Sequence, residues 1–366
     1  MSDLSVFLSA GEQSGDLHGA ELARELKRRL PGIRMYGLGG SRMAAEGVEL
    51  LADLDRLAVL GFSEVVRHLP DLIRLRREVR RFLVDRDVDL LVPIDYPGFN
   101  LPLARYARVR EIPVLYYIAP QVWAWHESRA RKLAEDADLV CVVLPFEAEL
   151  LERWGVRTRF VGHPLLDRTS EDAARPPRSR RALGLFPGSR VQEIERLLPV
   201  FLDAARAVRA HHPELELLVA RSSDLPVAAY AELGEAVLVD TETALRDSVA
   251  AITKSGTITL QLALAGIPMV VGYRVSSITY AIARRLVSVD HIALVNLVAG
   301  RRVVPELIQH DASPALLAEK AAPLVADTEA RSAQRSALRQ VSAELGKPGA
   351  AGRVADECVR LLVGER

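Results

Sequence analysis

A short segment at the start of the second half of the chain has residue types that suit phosphate binding. Pro187, Gly188, Ser189 and Arg190 follow the apolar run Ala182–Phe186. A Pro-Gly turn between a strand and a helix exposes backbone N–H groups, and an arginine presents a planar fork to phosphate oxygens. An ordinary strand-to-helix turn with a surface arginine is the alternative, and the pattern alone leaves both interpretations open.

A second junction of this kind follows the apolar run Val249–Thr253. Its loop is Lys254–Thr257, with the sequence KSGT, and a helix is predicted to begin at Thr257. Gln261 lies one turn into that helix, where it could reach a ribose. Two such junctions favour phosphate binding more than either does alone. Neither matches a Walker loop or a GxGxxG motif, so a nucleoside diphosphate fits better than ATP or NAD chemistry.

Two loops in the first half carry carboxylates where predicted strands end. Ala10–Asp16 joins a strand to a helix, and helix capping by Ser14 or Asp16 is its alternative interpretation. Asp95 follows the apolar run Asp89–Ile94. A carboxylate at the carboxyl end of a strand, facing a cleft, is where a general base is expected. A turn stabilised by the aspartate side chain is the alternative for Asp95.

These loops lie within a regular alternation of short apolar runs and helical patterns. Runs that are apolar on both faces predict parallel sheets covered by helices. After Glu306 the pattern predicts helices only. The predicted strands are Ser5–Ser9, Arg34–Gly37, Asp89–Ile94, Pro113–Ile118, Leu139–Leu144, Arg159–Gly162, Ala182–Phe186, Leu215–Ala220, Ala236–Val239, Val249–Thr253 and Pro268–Gly272.

The alternation is interrupted once, at residues 166–181, which are polar, contain proline and lack apolar periodicity. We predict an α/β protein with two Rossmann-like, doubly wound domains, 1–165 and 182–335, joined by this linker and facing a central cleft. The helices at 336–366 are predicted to pack back on the N-terminal domain or on a partner subunit. A helix is also predicted at Ile278–Val287.

Composition limits the other classes of function. Acidic and basic residues balance at 48 each, so the overall charge does not indicate a nucleic-acid partner. Two distant cysteines, Cys141 and Cys358, fit a reducing compartment. Neither a secretory signal nor a membrane span is evident, and we expect a cytoplasmic protein. No metal-ligand spacing stands out, so neither a metal nor a cofactor is expected.

One predicted helix, Leu72–Val84, is strongly amphipathic. A basic helix of this kind is more often a solvated helix with one face on the core, but it can also rest on an anionic membrane. Its apolar positions are Leu72, Leu75, Val79, Phe82 and Leu83, and the arginines predicted on its other side are Arg74, Arg76, Arg77, Arg80 and Arg81.

In their order along the chain, the segments resemble the lipid-A-disaccharide synthase family, which comprises inverting glycosyltransferases of the GT-B class. The resemblance extends from residue 5 to about residue 325. The segments that carry it are Ala10–Asp16, Pro93–Asn100, Tyr117–Trp125, Leu144–Glu147, Val161–Leu165, Leu185–Arg190, Lys254–Gln261, Pro268–Arg274 and Val295–Gln309.

The resemblance implies transfer of 2,3-diacylglucosamine from its UDP conjugate to 2,3-diacylglucosamine 1-phosphate. The N-terminal domain would serve the acceptor and the C-terminal domain the UDP-sugar. Asp95 and Glu12 are the predicted catalytic carboxylates, with Asp95 as base. The predicted substrate-binding residues are Ser14, Arg190, Ser255, Gly256, Thr257, Gln261 and Asn296. Acylated substrates imply peripheral contact with the cytoplasmic face of the inner membrane, and the family suggests a homodimer.

The sequence departs from the family at two positions near the predicted nucleotide site. Gln261 stands where the family usually has glutamate, which removes a charged contact to the ribose. Lys254 replaces a small residue and could add a contact to phosphate. Two other functions remain open at this point: a UDP-N-acetylhexosamine 2-epimerase of the same fold, and a non-catalytic module that binds nucleotide-sugar or lipid.

Overall fold

The structure, a computed structural model, describes residues 4–54, 65–120, 127–171, 181–223, 225–230, 232–276, 280 and 290–364. It divides into two compact units: Met1–Asp167 with Gly346–Arg366, and Arg168–Leu345. Two predicted features lie outside the described residues. They are the last five residues of the segment Tyr117–Trp125 and nearly all of the helix predicted at Ile278–Val287.

A parallel sheet forms the centre of the first unit, with its seven strands in the order β3-β2-β1-β4-β5-β6-β7. The strand order reverses between β1 and β4, and doubly wound sheets bind ligands beyond the carboxyl ends of the strands at such a point. The strands are β1 (Ser5–Ala10), β2 (Arg34–Gly39), β3 (Glu49–Asp53), β4 (Leu90–Ile94), β5 (Leu115–Tyr117), β6 (Leu139–Val142) and β7 (Thr158–Phe160).

Helices connect these strands, as parallel pairing requires. Every residue of β1 and β4 is buried, so both faces of the sheet are covered at its centre. The helices are α1 (Gln13–Arg29), α2 (Ser41–Ala45), α3 (Val65–Asp85), α4 (Pro97–Val109), α5 (Glu127–Asp136), α6 (Pro145–Glu152) and α7 (Leu165–Glu171).

The second unit has a parallel six-stranded sheet in the order β10-β9-β8-β11-β12-β13, with the reversal between β8 and β11. Its strands are β8 (Ala182–Phe186), β9 (Glu216–Arg221), β10 (Val237–Asp240), β11 (Ser248–Thr253), β12 (Met269–Tyr273) and β13 (Glu306–Ile308). Its helices are α8 (Val191–His211), α9 (Thr241–Asp247), α10 (Ile258–Leu264), α11 (Leu294–Ala299), α12 (Pro314–Val325) and α13 (Glu329–Glu344), with a short 3-10 turn at Val227–Ala229.

The last helix, α14 (Ala350–Leu362), belongs to the first unit and packs against α1. Arg29 Nε donates to Asp356 Oδ1 at 2.7 Å, which joins the two helices by a charge-assisted bond. Arg353 Nε donates to the carbonyl of Val161 at 2.8 Å. The C-terminus is therefore anchored at two places on the first unit.

The unit boundaries differ in detail from the predicted ones. The predicted linker, 166–181, begins inside helix α7, and residues 172–180 lie outside the described part of the chain. The boundary predicted at residue 335 falls inside α13, and the chain rejoins the first unit only at Gly346.

All the predicted strands correspond to strands of the structure, with shifts of at most two residues at their ends. Among the residues that the structure describes, the strands that the sequence patterns miss are β3 and β13. The prediction that only helices follow Glu306 is wrong, because Glu306–Ile308 pairs in parallel with β12. Both missed strands pair on one side only, at the edges of their sheets, where a long apolar run is not required.

The arginines of helix α3 do not all lie on one face, so the sequence prediction for them is wrong for two of the five. The Arg76 guanidinium lies over the Phe99 ring at 5.3 Å and donates to the carbonyl of Gly98. Arg80 lies 5.0 Å from the centre of the Tyr106 ring. Both therefore pack on helix α4. Of these five arginines, the exposed ones are Arg74, Arg77 and Arg81.

Candidate functional site

Asp95 lies directly after β4, where the strand order of the first sheet reverses. Asp95 and Tyr96 both adopt left-handed backbone conformations, with φ of 47° and 49°. Such conformations cost free energy in residues other than glycine, and they persist only where the surroundings impose them. Helix α4 then begins at Pro97. The sharp turn places the Asp95 side chain at the carboxyl edge of the sheet.

A buried hydrogen-bond network holds this turn. Asn100 Nδ2 donates to the carbonyl oxygens of Asp95 at 2.8 Å and of Ser9 at 3.1 Å. The Tyr116 hydroxyl donates to the same Asp95 carbonyl at 2.7 Å. The Ser9 hydroxyl donates to Asn100 Oδ1 at 2.7 Å. These bonds fix the backbone of Asp95 and leave its carboxyl group for chemistry.

The loop after β1 packs on the same turn. A Cβ atom at Gly11 would lie 2.2 Å from Cδ1 of Tyr96, so only glycine fits there. This close approach brings Glu12, the residue after Gly11, near Asp95. The structure thus brings together the two carboxylates that the sequence predicts as catalytic.

The pKa of Asp95 is raised to about 6. Burial is the main cause, since it disfavours the charged form, and the nearby Glu12 carboxylate acts in the same direction. The backbone N–H of Tyr96 and the side chain of His18 partly oppose the rise. A carboxyl group with a pKa near neutrality is suited to accept a proton under cellular conditions.

Ser14 is exposed in the first turn of α1, two residues after Glu12. The alternative that Ser14 or Asp16 caps α1 is wrong, because Glu12 is at the N-cap and no side chain caps the helix. Asp16 instead accepts hydrogen bonds from the backbone N–H groups of Gly40 at 2.6 Å and Met43 at 3.1 Å. It therefore stabilises the start of α2.

Sequence reasoning missed three residues that surround Asp95: Asn100, Tyr116 and His18. His18 lies one turn beyond Ser14 on α1, and its ring packs edge-on against Tyr117, with centroids 6.2 Å apart. Asn100 is the only one for which the sequence held a signal. Asn100 ends the segment Pro93–Asn100 and lies among apolar residues at the start of a helix. A polar residue in such a position indicates a side chain that is buried and hydrogen-bonded.

In the second unit, the two predicted phosphate-binding junctions lie side by side at the strand-order reversal. Arg190 is the N-cap residue of α8, and its side chain is 75% exposed. Gly188 has a φ of 134°, which favours glycine. The backbone N–H of Lys254 donates to the carbonyl of Phe186 at 3.0 Å, which joins the loop after β11 to the end of β8.

The loop after β11 has little side-chain bulk at its tip. Gly256 has a φ of 142°, and the hydroxyl of Thr259 closes the turn by donating to its carbonyl at 2.8 Å. Ser255 donates from its hydroxyl to the carbonyl of Ile292 at 2.6 Å. Thr257 is the N-cap residue of α10, and Gln261 is half-buried one turn later.

Asn296 occupies a different position from the other predicted binding residues. It is fully buried, and its Nδ2 donates to the carbonyl of Val304 at 3.0 Å and to Glu306 Oε1 at 2.8 Å. Its Oδ1 accepts from the backbone N–H groups of Val303 and Val304 at 2.7 and 2.9 Å. Both polar side-chain atoms of Asn296 are thus engaged inside the protein, where they shape the loop; its predicted contact with substrate stays a prediction.

Glu306, which sequence reasoning also missed, completes this loop. Its carboxylate accepts from the backbone N–H groups of Ile292 at 3.1 Å and Ala293 at 2.9 Å. Because Ser255 donates to the carbonyl of Ile292, Asn296 and Glu306 act on the loop after β11 through Ile292. Across the described parts of both units, no group of three or more His, Cys, Asp or Glu side chains could hold a metal ion.

Comparison with solved structures agrees with this architecture. A UDP-N-acetylglucosamine 2-epimerase from Neisseria meningitidis, bound to UDP-GlcNAc, is similar with a TM-score of 0.60 and 11% identity, over 98% of this chain and 100% of that one. The calicheamicin glycosyltransferase CalG4 is similar with a TM-score of 0.62 and 19% identity, over 99% of both chains. At these identities the likeness shows the fold, which is the GT-B fold with two parallel-sheet domains.

Comparison of sequences is more specific. A family model described as lipid-A-disaccharide synthetase matches residues 6–357. A lipid-A-disaccharide synthase from Geobacter sulfurreducens is 42% identical over 373 residues, which cover 98% of this chain and 97% of the relative. One from Nitrosococcus oceani is 42% identical over 375 residues, with the same coverage. A match of this extent confirms the resemblance stated from the motifs: the chain belongs to the lipid-A-disaccharide synthase family.

Proposed function

We propose that this chain transfers 2,3-diacylglucosamine from its UDP conjugate to 2,3-diacylglucosamine 1-phosphate, forming the β-1,6-linked disaccharide 1-phosphate and UDP. The observation that carries the proposal is the Asp95 carboxyl group, which is held on a strained turn beside Glu12 with a pKa of about 6. Membership of the family supports the same reaction, since the curated relatives are named for it.

On the acceptor side, Asp95 accepts the proton of the 6-hydroxyl group as the hydroxyl oxygen bonds to the anomeric carbon of the donor. The bond from that carbon to the diphosphate oxygen breaks, and the electron pair leaves with UDP. Glu12 raises the basicity of Asp95 by charge repulsion. Ser14, exposed in the same turn of α1, is placed to contact the acceptor.

On the donor side, the charge that develops on the departing diphosphate must be stabilised. The exposed Arg190 supplies a fork of donors, and the loop of Ser255, Gly256 and Thr257 supplies backbone N–H groups without bulk. Gln261 is the proposed ribose contact. Asn296 remains in the proposal as a positioning residue that acts through Ile292.

The test is release of UDP from UDP-2,3-diacylglucosamine, measured with and without the monosaccharide 1-phosphate. The proposal predicts that UDP forms only when both substrates are present. Conversion of a UDP-N-acetylhexosamine in the absence of any acceptor would instead identify an epimerase. Binding of the donor without any turnover would indicate a non-catalytic module.

The pKa of Asp95 predicts the pH dependence of the reaction. Asp95 acts as a base only when ionised, so kcat/KM should fall about tenfold per pH unit below pH 6. Glu12→Gln removes a charge that raises this pKa, and the acidic limb should therefore move to lower pH. The matched control is Glu49→Gln, an exposed residue at the start of β3, which should leave the limb in place. An unchanged limb in Glu12→Gln would contradict the assignment.

We also propose that the exposed face of helix α3 contacts anionic lipid, because the substrates are acylated. No helix among the described residues combines the length and apolar character needed to cross a membrane. Exchange of the three exposed arginines for glutamine should weaken co-sedimentation with anionic vesicles about 100-fold, at about 1 kcal/mol per charge. Unchanged co-sedimentation would contradict the proposal. The exchanges are Arg74→Gln, Arg77→Gln and Arg81→Gln, and the control of equal charge is Arg206→Gln, Arg335→Gln and Arg339→Gln.

A further inference from the structure

A carboxylate lies between the two phosphate-type junctions of the second unit. Glu193, in the first turn of α8, accepts the backbone N–H of Ser189 at its Oε2 atom, 3.0 Å away. Its Oε1 atom accepts from Lys254 Nζ at 2.9 Å and lies 3.9 Å from Arg190 Nη1. One anion thus meets a backbone donor and two cations that come from both junctions.

The Glu193 carboxylate packs closely against the backbone at Gly188. A Cβ atom at Gly188 would lie 2.3 Å from Glu193 Oε2, so glycine is needed for the carboxylate to lie on the loop. Tyr273, at the end of the neighbouring strand, faces the same group. Burial and the Glu193 carboxylate raise the pKa of the Tyr273 hydroxyl, and Arg190 opposes the rise. Four polar side chains from three strand ends therefore converge at this point.

The charges of the cluster explain why a carboxylate is there. Arg190 and Lys254 carry two positive charges, which repel each other unless an anion lies between them. Glu193 compensates only one of them, so the cluster retains a net positive charge. A diphosphate carries more negative charge than a carboxylate and offers more acceptor oxygens. The Lys254 ammonium therefore pairs with a bound diphosphate in preference to the Glu193 carboxylate.

We infer that Lys254 binds a phosphate of the donor, and that Glu193 holds the lysine ammonium in place when the donor is absent. The inference rests on the proposed function. Both side chains are partly open to solvent, with Lys254 18% exposed and Glu193 20% exposed. A phosphate can therefore reach the Lys254 ammonium and replace the carboxylate as its partner. A short movement of the ammonium from the carboxylate towards solvent would bring it to a phosphate beside Arg190.

Titration calorimetry with UDP and with uridine tests the role of Lys254. In Lys254→Met the Kd for UDP should rise at least tenfold, while the Kd for uridine, measured by displacement, should not change. Lys254→Arg should recover most of the affinity for UDP, which excludes misfolding as the cause. Lys320→Met, which removes an exposed lysine of α12, is the control and should bind UDP as the wild type does.

Glu193→Gln tests the second half of the inference. Its amide oxygen can still accept the N–H of Ser189, but the variant has no charge to hold Lys254, so the Kd for UDP should fall severalfold. An unchanged or higher Kd for UDP in this variant would overturn the role of Glu193. Equal UDP affinity in Lys254→Met and wild type, or equal loss for UDP and uridine, would overturn the role of Lys254. Failure of the wild type to bind UDP would instead refute the proposed function itself.

Discussion

Asp95→Asn is expected to lower kcat for disaccharide formation about 1000-fold, within the range that general bases contribute. The amide has the size of the carboxyl group but cannot accept the proton of the acceptor hydroxyl. Asparagine tolerates a left-handed backbone conformation, so the turn at Asp95 and Tyr96 should persist. Affinity for UDP should be unchanged, because the nucleotide is assigned to the second unit.

The control for this substitution is Asp87→Asn. Asp87 is exposed, has a φ of 46° and precedes β4, so it presents the same backbone requirement at the other end of the strand. Its variant should turn over as the wild type does. If Asp95→Asn kept kcat within threefold of the wild-type value, Asp95 would not be the base.

Arg190→Met is expected to lower kcat/KM for the donor about 100-fold. Loss of two charge-assisted hydrogen bonds, each worth about 1.5 kcal/mol, accounts for a change of this size. The Arg190 side chain is 75% exposed, and its ion pair with Glu193 is long, at 3.9 Å between nitrogen and oxygen. Such an exposed ion pair contributes little to stability, so the melting temperature should not change. Arg190→Lys should recover only part of the loss, because an ammonium lacks the planar fork.

Arg196→Met is the matched control, since Arg196 is exposed on the same helix, α8, beyond its first turn. Steady-state kinetics with the donor varied would compare the three variants. Wild-type kcat/KM in Arg190→Met would show that Arg190 does not touch the departing diphosphate.

The parallel sheets were predictable because their strands are short apolar runs, and burial on both faces requires such runs. Once the strands were predicted, the positions of Asp95 and of the junctions at Arg190 and Thr257 at the ends of strands could be predicted as well. Each comes directly after a central strand, and the strand order places them where each sheet reverses. Local sequence was sufficient here because the turn, the glycine and the functional side chain are contiguous.

Contacts between distant residues could not be predicted from local patterns. Lys254 and Glu193 are 61 residues apart, and the bond between them joins the two strand-to-helix junctions of the second unit. Arg76 belongs to the face of α3 that the sequence predicts to be solvated, but its guanidinium packs on the Phe99 ring of helix α4. Local patterns also did not indicate the hydrogen bonds that Asn296 makes inside its loop, since its prediction as a substrate-binding residue rests on a match to a family position.

The anomeric configuration of the product distinguishes a single displacement from a mechanism that retains configuration. One base, Asp95, and a leaving diphosphate require a single displacement at the anomeric carbon. With an α-linked UDP-2,3-diacylglucosamine as donor, the anomeric proton coupling in the NMR spectrum of the purified product should show a β linkage to the 6-position of the acceptor. An α-linked disaccharide would mean retention of configuration, and it would contradict both the single displacement and the role of Asp95.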